Sequence, residues 1–178
     1  MWATCIVLGA TAGALANYRT ALEIRKRMPS LADADQWKHE LAASYYRIGN
    51  ALGVRGDGEG ALASLHENLA ISRGLADVGR LNSDRQFDVS ISLESLGHAQ
   101  LIRGDTVGAL ASYREGMAIV RRLVALEPDN SEWQQGLSRC LDGVGDILAF
   151  QGDATGALST YNASLAIFRR FTARDSGD

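Results

Sequence analysis

A Gly-Asp pair, followed by Gly-Ala-Leu starting three residues after the Asp, occurs three times: Gly56-Asp57…Gly60-Ala61-Leu62, Gly104-Asp105…Gly108-Ala109-Leu110 and Gly152-Asp153…Gly156-Ala157-Leu158. Each copy lies 48 residues after the last. A repeat of roughly 20 to 50 residues supplies one supersecondary unit, which buries its apolar face only by stacking on a neighbour. The periodicity therefore predicts a row of like units and points to a binding scaffold rather than a reaction centre.

In this register Ala70-Ile71, Ala118-Ile119 and Ala166-Ile167 coincide, as do Arg73, Arg121 and Arg169, and upstream Gly49, Gly97 and Gly145. Ser44, Ser92 and Cys140 share a position, Leu41, Val89 and Leu137 another, and Trp37 and Trp133 correspond with Arg85 between them. An earlier half-unit, displaced by 47 residues, carries Gly13-Ala14-Leu15 and Leu22-Glu23-Ile24. The organisation expected is one repeat domain: a partial unit over 1–31, full units over 32–79, 80–127 and 128–173, and a polar tail. Thr172–Asp178 is expected to fray.

Within each unit apolar residues recur at steps of three and four, as in Leu110, Tyr113, Met117, Val120 and Val124 or Leu158, Tyr161, Leu165 and Phe168, which is the period of a helix. Helices are expected near 12–28, 34–54, 58–79, 83–103, 106–127, 131–151 and 154–173, with no strand. Asp35, Ser83 and Ser131 stand at the head of each first helix, with Gln86 and Gln134 at capping-box spacing. Asp57, Asp105 and Asp153 are placed to cap each second helix, after Gly56, Gly104 and Gly152 in the turn. Gly49, Gly97 and Gly145 fall inside helices at a cost of about 1 kcal/mol each. Their recurrence implies close approach of two helices, helped by Ala61, Ala109 and Ala157.

The chain resembles the tetratricopeptide repeat, whose signature W-x2-L-G-x2-Y and later A-x3-F reads here as Tyr45-x2-Ile48-Gly49-x2-Leu52, Leu93-x2-Leu96-Gly97-x2-Gln100 and Leu141-x2-Val144-Gly145-x2-Leu148. The second part reads Ala61-x3-Leu65, Ala109-x3-Tyr113 and Ala157-x3-Tyr161. The resemblance covers nearly the whole chain, with a unit of 48 residues instead of 34 and no proline at a fixed repeat position. The Gly-Asp-x2-Gly-Ala-Leu form is similar to long-unit repeats of bacterial multidomain proteins. It implies an all-α chain of helical hairpins stacked as a right-handed α-solenoid, which binds a protein or peptide in the concave groove lined by its first helices.

Carried over position by position, the resemblance puts Tyr46, Glu94 and Asp142, and then Asn50, His98 and Asp146, on that groove, with Arg139 as a counter-charge beside the acidic end. Glu94, Asp142 and Asp146 would favour a basic or polar segment. A different role, self-assembly, would use the apolar residues Trp2, Ile6, Val7 and Leu8, which match only the last turn of a first helix and leave the helix at 12–28 without a full partner.

Other functions find little support. A net charge of −3 and a pI near 5.6 argue against nucleic acid. The clusters Arg25-Lys26-Arg27, Arg121-Arg122 and Arg169-Arg170 are expected near the ends of second helices, complementing the dipole. His39, His66 and His98 lie on different predicted helices, and no metal-ligand spacing, phosphate loop or catalytic constellation occurs, so neither cofactor nor enzymatic activity is expected. Gly56-Asp57-Gly58-Glu59-Gly60 hints at a calcium loop, but its sister copies read Gly-Asp-Thr-Val-Gly and Gly-Asp-Ala-Thr-Gly and do not keep one ligand set, so a turn with a cap is expected. Met1–Ala16 has signal-like composition, yet no Lys or Arg precedes Arg19 and Gly13-Ala14-Leu15 belongs to the repeat. Two lone thiols, Cys5 and Cys140, suit a reducing, cytoplasmic setting, and no apolar run reaches membrane-spanning length.

Overall fold

The structure is a computed structural model that describes the backbone of residues 2–27, 34–78 and 82–175, with side chains over 12–27, 34–78 and 82–170. Among the described residues every regular element is a helix: α1 (Trp2–Arg27), α2 (Ala34–Val54), α3 (Gly58–Val78), α4 (Ser83–Ile102), α5 (Thr106–Leu126), α6 (Ser131–Phe150) and α7 (Ala154–Asp175). Two compact units result, Met1–Arg80 and Leu81–Asp178. In the first, α1 packs on α2 and α2 on α3. In the second, α4, α5, α6 and α7 pack in succession, and α4 also touches α6, so first helices of consecutive hairpins are neighbours.

The Gly-Asp motif closes each hairpin by the same local chemistry. Gly56, Gly104 and Gly152 adopt φ of +82°, +82° and +83°, the left-handed region where a side chain is strained. The next residue caps: Asp57, Asp105 and Asp153 each accept, through Oδ1, the amide of Gly60, Gly108 and Gly156 at 2.9 Å. The glycine at that third position has its own reason. A Cβ on Gly60 would stand 2.6 Å from Asp57 Oδ2, and one on Gly108 or Gly156 would press equally on Asp105 or Asp153.

Caps of the first helices differ from expectation. Asn82 and Asn130, one residue before Ser83 and Ser131, hold extended backbones and accept from Arg85 N at 3.1 Å and Trp133 N at 3.2 Å. Asparagine is among the best N-caps, and its short amide reaches the third amide of the helix directly. Ser83 and Ser131 are therefore the first helical residues. Gln134 donates to Pro128 O at 3.0 Å and makes no capping box. Asp35 lies in the first turn of α2, favourable against the positive end of the dipole.

Helix α1 is also longer than expected, running unbroken from Trp2 where 12–28 was predicted. In the half-unit register Gly9-Ala10 takes the place of Gly56-Asp57. With alanine instead of the capping carboxylate, nothing starts a new helix there, and the helix propensity of alanine carries the turn through. The side chains of Trp2, Ile6, Val7 and Leu8 lie outside the described residues. At the other end α7 continues through Asp175, so Thr172–Asp175, about one turn of the tail expected to fray, is helical; 176–178 lie outside the described residues.

Helix pairs approach where glycine was expected to permit it. A Cβ on Gly49 would stand 2.7 Å from Leu65 Cγ and 3.2 Å from Ala61 O; on Gly97 it would meet the Tyr113 ring at 3.2 Å and Ala109 O at 3.3 Å. Gly145 faces Tyr161 and Thr160 in the same way. Polar residues join the hairpins midway: Asn68 Nδ2 donates to Ala42 O at 3.0 Å, and the hydroxyls of Ser138 and Ser164, in register with Ala42 and Asn68, meet at 2.6 Å.

The cores follow the apolar stripes. Leu15, Leu22, Leu41, Ile48, Ala51, Leu52 and Ala61 cluster in the first unit, flanked by Tyr18, Trp37, Tyr45 and Ile71. Ala109, Tyr113, Val144 and Ile147 cluster in the second, flanked by Leu101, Leu110 and Leu148. The basic clusters need one correction. Arg25, Lys26 and Arg27 do occupy the last turn of α1, but α5 runs on to Leu126 and has no basic residue in its last turn. Arg121 and Arg122 thus sit short of the dipole end. Arg25 instead clasps α2, donating to Glu40 Oε2 at 2.9 Å and Ser44 Oγ at 3.1 Å, while Trp37 Nε1 donates to Arg25 O at 2.9 Å.

Candidate functional site

Residues at steps of three, four and four share one face of a helix. On α4 that face carries Ile91, Glu94, His98 and Ile102, and on α6 Arg139, Asp142, Asp146 and Phe150; none is buried. The same register on α2, in the first unit, carries Ala43, Tyr46, Asn50 and Val54, again without a buried member. The opposite faces supply the core, including Leu93, Leu96, Val144 and Ile147. All seven predicted groove residues therefore lie on the open faces of first helices. Five are brought together in the second unit, where α4 and α6 touch, and Tyr46 and Asn50 belong to the first.

Two contacts organise the charges on α4 and α6. Arg139 Nε donates to both carboxylate oxygens of Glu94, at 2.9 and 2.8 Å, tying the two helices together. The expected counter-charge is thus spent on Glu94, and the acidic character of the face is left to Asp142 and Asp146. Asp146 in turn accepts from Tyr161 Oη at 2.7 Å, across the hairpin.

That hydrogen bond, with the carboxylate charge and some desolvation, pushes the Tyr161 phenol from 10.0 up to about 12, because ionising it would break the bond and set two anions side by side. The folded value lies above the unfolded one. Its stabilising contribution is accordingly whole below pH 10 and is lost as the pH climbs to about 12. In a spectroscopic alkaline titration at 295 nm, Asp146→Asn should bring one late-titrating phenol back toward 10, and an unchanged titration curve would dissociate Tyr161 from Asp146.

Burial, rather than a partner, governs the neighbouring titratable groups. It pushes the Tyr113 phenol well above its ordinary range, with Glu94 adding to the effect, and raises the Cys140 thiol to about 12. A thiol held protonated in the interior fills space; it does not attack. Among the described residues no group of three His, Cys, Asp or Glu side chains could hold a metal ion, and no helix is long and apolar enough to cross a membrane.

The residues not foreseen from sequence are the last of each stripe. Val54, Ile102 and Phe150 are 60%, 63% and 78% exposed, and they are 48 residues apart. An apolar side chain at a helix end reads as core until its neighbours are placed. The available signal was its recurrence two residues before every turn glycine.

No protein-family model matches the chain, and no curated protein matches it.

Proposed function

We propose that the chain is a tetratricopeptide-like repeat domain, a right-handed α-solenoid, whose open first-helix faces dock an extended or helical segment of a protein partner. The observation that carries this reading is the large exposed apolar residue recurring at one register position, Val54, Ile102 and Phe150. Among the described residues no packing role explains three such residues in sequence register, and exposed apolar groups beside placed polar ones are what a peptide groove offers. Phe150 is the principal anchor, aromatic residues being enriched among those that dominate binding energy. Asp146 and Asp142, one and two turns away on the same stripe, select a partner with a basic residue beside its apolar one. The role is binding rather than catalysis.

Selection of a displayed random-peptide library on the intact domain tests the proposal. Enriched peptides are expected to pair an apolar side chain with Lys or Arg, and to lose at least tenfold in affinity for Phe150→Glu and for Asp146→Lys. Peptides whose affinity both substitutions leave unchanged would remove these faces from the binding role.

A further inference from the structure

Glu94, Asp142 and Asp146 form an acidic row on the touching helices α4 and α6, and Arg139 stands at one end of it, three residues before Asp142 on the same stripe. Its counterparts in the earlier copies are Ala43 and Ile91. The positive charge is therefore an addition peculiar to α6, not a feature of the repeat. Its contact is the one a partner's basic side chain would make: Nε donates to both carboxylate oxygens of Glu94, at 2.9 and 2.8 Å.

Arg25 shows what a fastening arginine looks like. It engages through three nitrogens, Nε and Nη2 donating to Glu40 Oε2 at 3.1 and 2.9 Å and Nη1 to Ser44 Oγ at 3.1 Å. The hydrogen bonds of Arg139 to described residues run through Nε alone, and its side chain is 44% exposed, against 22% for Glu94. A pair so placed, part in water and short of the two-pronged geometry, fastens two helices only weakly. It changes instead what the face offers a ligand. The carboxylate is occupied, and a like charge meets any cation that approaches it.

We infer that Arg139 sets the specificity of the proposed groove, on which reading this inference rests: it takes the place of a second basic side chain on Glu94. The segment that docks then carries a basic residue only beside its apolar anchor, at Asp146 and Asp142, and none toward Arg139. The same arrangement gives the segment a direction. From Phe150 the stripe on α6 runs apolar, acidic, acidic, basic, in steps of about one turn, and a segment bound the other way round would set its cation against the guanidinium. Specificity of this kind comes from a repulsive element as much as from an attractive one.

Displayed random-peptide selections on the unaltered chain and on Arg139→Gln, which drops the charge and keeps a side chain able to donate to Glu94, make the test. Peptides enriched on the unaltered chain should carry a basic residue beside the apolar one and none beyond it, whereas those enriched on Arg139→Gln should carry a second basic residue further along. A synthetic peptide of the second kind should bind Arg139→Gln at least fivefold more tightly than the unaltered chain. Adding Glu94→Gln should remove that gain, and Arg139→Lys, which keeps the charge, should not show it. A role confined to holding α4 on α6 would instead shift the affinity of both kinds of peptide alike, and would overturn the inference. Arg139 is exposed, so its substitution is compatible with folding; an unchanged helical circular dichroism spectrum verifies this, and Arg139→Ala repeats the test. Peptides that depend on Phe150 and Asp146 yet carry the same basic residues with and without Arg139 would overturn this inference and leave the docking reading standing. Peptides indifferent to Phe150→Glu and Asp146→Lys, or no enrichment on either protein, would overturn both.

Discussion

Replacing Tyr113 with alanine is expected to lower the free energy of unfolding by about 3–5 kcal/mol, the range for deleting a large buried aromatic side chain. The ring is 4% exposed and is held from both sides, against Gly97 within its own hairpin and against Gly143 of the next. One side chain thus serves the hairpin contact and the stacking contact together. A double-mutant cycle with Gly143→Ala makes the claim sharper, because two opposed terms act at Gly143. Alanine gains about 1 kcal/mol in helix propensity, while its methyl displaces the ring at an overpacking cost of about 1–3 kcal/mol. With Tyr113 present the cost prevails and Gly143→Ala destabilises. With Tyr113→Ala the obstacle is gone, and the same substitution stabilises by about 1 kcal/mol. Denaturant titrations of the four proteins give the sign in each background; the same sign in both would show that ring and glycine are not coupled.

Most of this architecture was legible because each boundary could be read three times. The turn Gly-Asp marks where one helix stops and the next is capped, and it recurs unchanged, so the bounds of α2 to α6 lie within one residue of expectation. Where the copies diverge, the reading faltered. Ala10 has no carboxylate to restart a helix, and only the three-dimensional path reveals that α1 runs straight through. At the heads of α4 and α6 glutamines at capping-box spacing favoured Ser83 and Ser131, whereas the cap is the asparagine one residue earlier. Backbone geometry decided for Asn82 and Asn130.

The candidate site was legible in part for a related reason. Polar residues at one helical register, Glu94 with His98 and Asp142 with Asp146, announce an open face whatever the neighbours are. The pairing of Arg139 with Glu94 spans two helices and 45 residues, a distance over which periodicity is silent. The exposure of Ile102 and Phe150, and equally of Leu165 and Phe168, depends on what stands next to them. On α5 and α7 the stripe is alike in sequence, yet α6 covers one and leaves the other open.

The three capping aspartates offer the second large effect, through addition. Asp57, Asp105 and Asp153 make the same 2.9 Å bond to an amide three residues on, and removing such a cap costs about 0.5–2 kcal/mol. They are distant in sequence and share no partner among these bonds, so the losses should add. Asp57→Ala acts on the first unit, Asp105→Ala and Asp153→Ala on the second, and the three together should remove about 3 kcal/mol. The asparagine variants divide that loss by cause. Asparagine keeps the acceptor oxygen and caps nearly as well as aspartate, but it gives up the charge that faces the positive end of the dipole, a contribution of about 0.3–1 kcal/mol that salt screens. Thermal and denaturant unfolding should therefore rank each site aspartate, asparagine, alanine. High salt should close the first gap and leave the second. A salt-insensitive difference between aspartate and asparagine would shift the cause from the dipole to the packing of the carboxylate against Gly60, Gly108 and Gly156, where a Cβ has no room.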